Sequence, residues 1–140
     1  MSSIFSRIIT GELAGRFLWR DSRCVAILDV RPLAPGHSLV IPVEEVDHWT
    51  DLPVADANHL MEVAHHLGNA QKAAFRPRRI GLIIAGFEVP HTHLHVIPAH
   101  SMANLDFANV DTDPDQAALD DAADRIRAAL RAAGHDEVPD

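Results

Sequence analysis

The sequence predicts a single α+β domain, in which about five strands form one antiparallel sheet and two main helices, one long and one C-terminal, accompany it. Three observations lead to this fold class. The chain has 140 residues, 47% of them hydrophobic and 23% charged, which is typical of one globular domain. Five short apolar segments are separated by turn-forming residues. Two longer segments repeat apolar residues every three or four positions, which is the period of a helix.

The short apolar segments divide into three strands in the first half of the chain and two in the second. A short helix precedes them, since Ser2-Ser3 can supply an N-cap and Gly11 suits the end of a helix. The first two strands are close enough to form a hairpin around the Asp21-Ser22 turn. The five predicted strands cover residues 17–20, 24–28, 38–42, 80–85 and 93–98.

The long helix is predicted from Pro53 to Phe75, because proline is well tolerated in a first helical turn and apolar residues then recur at helical spacing. The C-terminal helix is predicted to begin with a capping box at residues 113–116, which read Asp-Pro-Asp-Gln. Gly134 is expected to end it. We find no internal repeat and no linker, so we expect residues 1–140 to form one domain.

Composition excludes several function classes. The net charge of −8 argues against general affinity for nucleic acid, and the basic run at residues 76–79 is short enough to be a solvated loop. No apolar stretch approaches the roughly 18 residues that a membrane span requires. Cys24 is the only cysteine, which rules out a disulfide within the chain, and we expect it to be buried and inert. These features predict a cytoplasmic protein that does not bind membranes or nucleic acid.

The clearest chemical signal is a run of alternating histidines, His91, His93 and His95. Alternate residues of a strand point to the same face, so we expect the three imidazoles to lie side by side while residues 92, 94 and 96 face the core. Three hypotheses follow. The rings are ordinary hydrogen-bonded histidines, they bind a metal, or they carry out nucleophilic and acid–base chemistry at phosphorus.

Two motifs resemble the histidine triad (HIT) family. Residues 91–97 read His-Thr-His-Leu-His-Val-Ile, similar to the family's His-x-His-x-His followed by two apolar residues. Residues 29–42 begin Asp-Val-Arg-Pro and continue through Gly-His to Ile-Pro, similar to the family's strand–loop–strand around a ribose. The segment 4–12 is similar to its first helix. The resemblance covers about residues 3–98, and it implies a HIT-like sheet with a C-terminal extension at 105–140.

The resemblance implies a catalytic role for each triad histidine. His93 would be the nucleophile that takes the nucleotidyl group, and His95 would contact the phosphate and assist the leaving group. His91 would orient His93, largely through its backbone carbonyl.

It also implies a set of ligand-binding residues. Asp29 would bind the ribose hydroxyls, since a carboxylate accepts two hydrogen bonds side by side, with Val30 beside it. His37 would approach the phosphate. Glu88 occupies the position where many members have a serine that bonds the phosphate or the leaving group. We expect its carboxylate to turn outward or to pair with His37 or Arg31; the alternative is a protonated carboxyl that donates a hydrogen bond.

The chain also departs from the family at a metal site. Several bacterial members hold a structural zinc with two cysteines and two histidines. The corresponding positions here are Ser3, Ser6, Glu45 and His91, and hydroxyls are poor zinc ligands beside thiolates. We therefore expect no metal, and no cofactor is implied.

The function implied by the resemblance is hydrolysis or transfer of a nucleotidyl group of AMP or GMP type. The expected ligand is a purine nucleotide or a nucleotide conjugate with a phosphoramidate or phosphoanhydride bond. The reaction would pass through a nucleotidyl-histidine on His93, in a homodimer whose long helix lies near the interface. Three alternatives remain: a diadenosine polyphosphate hydrolase or phosphorylase, a nucleotide-binding module with negligible turnover, and a metalloprotein that uses the triad as ligands.

Overall fold

The computed structural model describes residues 2–139; Met1 and Asp140, the ends of the predicted domain, lie outside the described residues. One five-stranded antiparallel sheet forms the centre, in the order β1-β2-β3-β5-β4. Its strands are β1 (Phe17–Arg20), β2 (Cys24–Leu28), β3 (Ser38–Pro42), β4 (Arg79–Ile83) and β5 (Leu94–Ala99). The helices are α1 (Ile4–Ile9), α2 (Val54–Phe75) and α3 (Gln116–Ala132). The predicted α+β fold class is confirmed.

The two faces of the sheet carry separate apolar clusters. Cys24, Ala26 and Leu28 of β2 face the larger cluster, which α2 and α3 complete. The alternate residues of the same strand, Val25 and Ile27, face a smaller cluster closed by α1. Both faces of β2 and β3 are fully covered. None of the helices in residues 2–139 combines the length and apolarity needed to cross a bilayer.

Two predicted strand boundaries were wrong, and the second one changes where the triad histidines lie relative to the sheet. The strand predicted at 80–85 ends at Ile83, and the strand predicted at 93–98 begins only at Leu94. Pairing with β3 ends where Val40 meets Leu94. The preceding backbone turns away from β3, since the amide of Thr92 donates to the carbonyl of Val46 at 2.7 Å. Of the three triad histidines, only His95 therefore lies in a regular strand.

The C-terminal helix also begins later than predicted. Its N-cap is Asp115, whose carboxylate accepts from the amide of Ala117, whereas a capping box at Asp113 was expected. Asp115 is itself a favourable N-cap residue, and because its carboxylate takes the amide of Ala117 the helix begins at Gln116. Gly134 follows the helix with a φ of 93°, as expected for a helix-ending glycine.

The loop between β2 and β3 is held from several sides. Gly36 has a φ of +90°, and a Cβ there would lie 2.3 Å from the ring of Phe75, so both conformation and space require glycine. The side chain of Gln71, from α2, donates to the carbonyl of Gly36 at 2.9 Å. From the C-terminal segment, Asn104 donates to the carbonyl of Leu33 at 3.2 Å. The loop is consequently fixed by residues far from it in sequence.

Candidate functional site

His93 is held just before β5 with one ring nitrogen engaged and the other free. Its Nδ1 lies 2.7 Å from the backbone oxygen of His91. A carbonyl oxygen only accepts, so Nδ1 carries the proton and Nε2 keeps its lone pair. The ring packs edge-on against Phe5 of α1, at 4.8 Å between centroids, and against His95 at 4.9 Å. Burial lowers the pKa of His93, so the neutral ring dominates near pH 7.

His91 is fully buried behind His93 and does not face a ligand. Its Nε2 donates to the backbone oxygen of Pro42 at 2.8 Å, and its Nδ1 accepts from the hydroxyl of Ser3 at 2.7 Å. Burial lowers its pKa, which favours this neutral tautomer. Both ring nitrogens are thus satisfied, and the backbone oxygen of His91 is left to orient His93.

Ser3, Ser6 and Glu45 form a hydrogen-bonded group around His91. The amide of Ser3 and the hydroxyl of Ser6 both donate to Oε1 of Glu45 at 2.7 Å. The hydroxyl of Ser3 also accepts from the amide of Ser6 at 3.1 Å. Hydrogen bonds to the carboxylate, led by that from the amide of Ser3, lower the pKa of Glu45. This group links α1 to the segment after β3.

His37 and His95 form a directed hydrogen-bonded pair. The amide of Leu33 donates to Nδ1 of His37 at 3.0 Å, so the proton of this ring lies on Nε2. That Nε2 lies 2.9 Å from Nδ1 of His95 and donates to it. The remaining nitrogen of His95, Nε2, therefore carries a proton. Burial lowers the pKa of His37 to about 3 and that of His95 to about 4, so both rings are neutral.

The structure places His37 behind His95 rather than at an open surface. His37 is 0% exposed, and its ring nitrogens meet Leu33, His95 and the carboxylate of Asp29, the last at 3.4 Å. The sequence-based expectation that His37 approaches a phosphate therefore does not fit its position in this structure, since His95 lies between it and the site. Its influence on a ligand has to pass through His95.

Asp29 lies at the end of β2, beside this histidine pair. Its Oδ1 accepts from the amide of Arg31 at 2.9 Å, and its Oδ2 lies 3.9 Å from Nδ1 of His95. The pKa of Asp29 is raised to about 6, mainly by burial and also by the charge of Glu88, against the lowering effect of the hydrogen bond from the amide of Arg31. Val30, the next residue, is 61% exposed and presents an apolar side chain beside the carboxylate.

Glu88 lies on the loop between β4 and β5, at the rim of the site. Its side chain is exposed, and its charge acts on both Asp29 and His93. Within the described residues, no hydrogen bond or ion pair joins it to His37 or Arg31, the partners expected from the sequence. The carboxylate is close enough to influence the site while remaining in solvent.

Phe107 is a site residue that the sequence did not identify. Its ring packs edge-on against His95 at 4.8 Å between centroids. It belongs to a short turn, Phe107–Asn109, in the segment that follows β5. The same segment is bonded to the loop between β2 and β3, because the amide of Asp111 donates to the carbonyl of Pro32 at 3.0 Å. No motif marks this segment, so only its folding onto the loop identifies it.

Among residues 2–139, two groups of side chains bring metal-type ligand atoms within 4.8 Å of one another. In the first, Asp29, His37 and His95, the histidine nitrogens are already joined by the hydrogen bond described above. The second is Asp21, Cys24 and His59. Although burial opposes it, hydrogen bonds from Trp19, the Arg23 and Cys24 amides and His59 lower the pKa of Asp21 to about 2. Burial strongly raises the pKa of the Cys24 thiol, so it stays protonated and is a poor metal ligand.

Comparison with known proteins agrees with this fold and triad. The family model of the HIT domain matches residues 10–102. An uncharacterized HIT-like protein of Methanocaldococcus jannaschii is 31% identical over 101 residues, covering 69% of this chain and 78% of the relative. The adenylylsulfatase HINT3 of Arabidopsis thaliana is 32% identical over 100 residues, covering 68% of this chain and 51% of the relative.

A solved structure, a zinc-bound histidine triad family protein from Mycobacterium smegmatis, superposes with a TM-score of 0.81 at 28% identity. The superposition covers 95% of this chain and 96% of the Mycobacterium smegmatis chain, so the structural similarity extends beyond residues 10–102. The chain belongs to the HIT domain family. This family is one of nucleotide-binding hydrolases and transferases.

Proposed function

We propose that this protein hydrolyses or transfers nucleotidyl groups of AMP or GMP type, with His93 as the nucleophile. The observation that carries the proposal is the 2.7 Å hydrogen bond from Nδ1 of His93 to the carbonyl of His91, which leaves Nε2 unprotonated beside an open cavity of about 440 Å³. A neutral imidazole with a free nitrogen is an effective nucleophile toward phosphorus. The name of the Arabidopsis relative, adenylylsulfatase, supports cleavage of a bond to an adenylyl group.

The proposed reaction has two displacements. In the first, Nε2 of His93 attacks phosphorus, the bond from phosphorus to the leaving atom breaks, and its electron pair goes to that atom, which takes up a proton. The Nε2–H of His95 donates a hydrogen bond to the phosphate and stabilises its negative charge. In the second, water attacks phosphorus, the P–N bond breaks with its pair returning to His93, and the water loses a proton. Over the cycle, the proton taken up equals the proton released.

The remaining site residues serve binding and positioning in this proposal. Asp29 accepts the hydroxyls of a ribose, and Val30 contacts the nucleoside beside it. His91 orients His93, and His37 is a positioning residue that acts through His95. Glu88 at the rim repels a phosphate, which lowers nucleotide affinity and slows turnover.

A trapping experiment tests the nucleophile. The protein is mixed with an adenosine phosphoramidate and quenched in denaturant without acid, and peptides are analysed by mass spectrometry. One adenylyl group on His93 is expected. His93→Ala should retain AMP binding and lose turnover by several orders of magnitude. Normal turnover by this variant would refute the mechanism, and AMP binding without adduct or turnover would favour the binding module.

We also propose that this protein lacks the zinc site that some members of the family have. The four positions that would hold the ion do not fit it, because Nδ1 of His91 is taken by the hydroxyl of Ser3 and Nε2 by the carbonyl of Pro42. The other two side chains, Ser6 and Glu45, bond to each other. The hydrogen-bonded group thus makes the connection that an ion would make elsewhere in the family.

The same proposal treats residues 1–140 as one HIT-like domain, with 105–140 as an extension, acting as a homodimer in the cytoplasm. Strand β4 is an edge of the sheet. Its residue Leu82 is 40% exposed, and Met61 on the neighbouring helix is 53% exposed. Apolar side chains at an open sheet edge suit pairing with a second copy. Light scattering at micromolar concentration should give the mass of two chains; the mass of one would refute the dimer.

A further inference from the structure

The cavity beside His93 is lined by two exposed aromatic side chains. It has a volume of about 440 Å³, and Trp49 and Phe87 line it together with His93. Phe87 is 97% exposed and Trp49 is 51% exposed. They are the two most exposed of the chain's seven phenylalanines and tryptophans, all of which lie in the described residues. We call this the Trp49–Phe87 cavity.

The register of the sheet places this cavity on the opposite side of His93 from the ribose-binding position. Along β5, His95 lies opposite Leu39, near the start of β3 and the loop that carries Asp29. Moving backward from His95 to His93 leads toward the other end of β3, from which the chain continues to Trp49. The loop with Phe87 closes this end as well, since β4 ends one residue after Leu82.

Charge indicates what kind of group the cavity accepts. Asp47 lines it, Glu88 is adjacent to Phe87, and no lysine or arginine is among its lining residues. An anionic group would therefore meet like charge there, whereas an uncharged aromatic group would meet the side chains of Trp49 and Phe87. Aromatic rings attract both other rings and amine cations.

We propose that the Trp49–Phe87 cavity binds the leaving group of the substrate and selects aromatic amines without a carboxylate. This inference rests on the proposed function. Before the first displacement, a substrate with its phosphorus beside Nε2 of His93 and its ribose at Asp29 still carries its leaving group, and the Trp49–Phe87 cavity is the space next to His93 on the side away from Asp29. Trp49 and Phe87 are then specificity-determining residues, and the cavity distinguishes among leaving groups while the Asp29 side recognises the nucleotide.

Three adenosine 5′-phosphoramidates test the cavity, those of 2-phenylethylamine, propylamine and phenylalanine. The wild-type protein should prefer the phenylethyl conjugate to the propyl one in kcat/KM. Trp49→Ala and Phe87→Ala should each reduce that preference by about two- to tenfold, the range of one aromatic contact. Of the two aromatic conjugates, the phenylalanine one should have the lower kcat/KM, because its carboxylate meets Asp47. Asp47→Asn should bring the kcat/KM values of these two conjugates closer together. Met102→Ala removes an apolar side chain that is 78% exposed, between the values of Trp49 and Phe87, from a different cavity and should leave the preference unchanged.

The affinities of the His93→Ala variant for the conjugates and for AMP test the subsite independently of turnover, so that the subsite and the proposed function can fail separately. This variant should bind the phenylethyl conjugate more tightly than AMP, and the added Trp49→Ala should remove the difference. If the wild-type protein turns over both amine conjugates and neither aromatic variant changes their ratio, the subsite is refuted and the function stands. If no conjugate is turned over but the binding difference is found, the function fails and the subsite stands. Equal binding of the conjugates and AMP refutes the subsite in either case.

Discussion

Nε2 of His37 donates to Nδ1 of His95 across 2.9 Å, and this contact sets which nitrogen of His95 faces the site. The direction of the bond originates in the backbone, because the amide of Leu33 occupies the other nitrogen of His37. A residue with no exposed surface thereby determines whether its neighbour donates or accepts a hydrogen bond.

We expect His37→Leu to lower kcat by about 100-fold with little change in the KM for the nucleotide, since His95 loses its fixed tautomer. His37→Gln should retain most of the activity, because its amide also donates a hydrogen bond. A purely structural role predicts equal losses in both variants. Steady-state kinetics across pH 5 to 8, with melting temperatures as a folding control, distinguish the two.

Acid should destabilise the protein through the same pair. The pKa of His37 is lowered to about 3 in the folded state, so below about pH 6.5 the unfolded chain binds more protons than the folded one. The contribution of the neutral His37 ring to the free energy of unfolding is therefore fully present above about pH 6.5 and is lost as the pH falls toward about 3. In urea unfolding at pH 7 and pH 4.5, His37→Gln should lose less stability between the two values than the wild type. An equal loss would show that His37 is not the source.

Asp29 should have the opposite effect, since its pKa is raised to about 6. Between about pH 4 and 6 the folded chain binds more protons than the unfolded one, so stability falls as pH rises through this window. The cost at pH 7 is on the order of 3 kcal/mol.

Asp29→Asn should therefore raise the free energy of unfolding at pH 7 by about 1–3 kcal/mol, should give no gain at pH 4, and should weaken AMP binding. Calorimetry of AMP binding and urea unfolding measure both effects. Asp113→Asn, at an exposed carboxylate, serves as the matched control. A variant that binds AMP normally would contradict the ribose-binding role.

Purified protein should contain no stoichiometric zinc and should be indifferent to chelators. The combined substitution Ser3→Cys, Ser6→Cys and Glu45→His supplies thiolate and imidazole ligands beside His91, and this variant should bind one zinc per chain. Elemental analysis after dialysis gives the stoichiometry. One zinc per wild-type chain would refute the hydrogen-bonded replacement.

Glu88→Gln and Glu88→Ser should bind AMP more tightly than the wild type and should gain rate at high pH, if the carboxylate repels the phosphate. At roughly 6 Å and an effective dielectric near 20, a like-charge pair costs on the order of 2–3 kcal/mol before solvent screening, and the exposure of Glu88 reduces this. The measurement is AMP affinity and kcat from pH 5 to 8. Loss of activity on the acidic side would instead identify Glu88 as a proton donor.

The sequence predicted the sheet, the two main helices and the apolar side of β5, since strand alternation and helical period are local signals. Leu94 and Val96 do face the larger cluster. It could not predict the surroundings of His37, because the contacts that bury it come from residues distant in sequence. For the same reason Phe107 was missed, as its contact with His95 exists only after the C-terminal segment folds onto the loop.

The four histidine tautomers are fixed by main-chain groups at three positions: the amide of Leu33 and the carbonyls of Pro42 and His91. Any residue that keeps the same backbone path supplies the carbonyls, and any residue except proline supplies the amide. Mutations at Leu33 and Pro42 can therefore accumulate without altering the protonation pattern of the rings. The tautomers of these four rings are thereby insulated from sequence drift around them, whereas the cavity beside His93 is lined by side chains such as Trp49 and Phe87, whose substitution changes it directly.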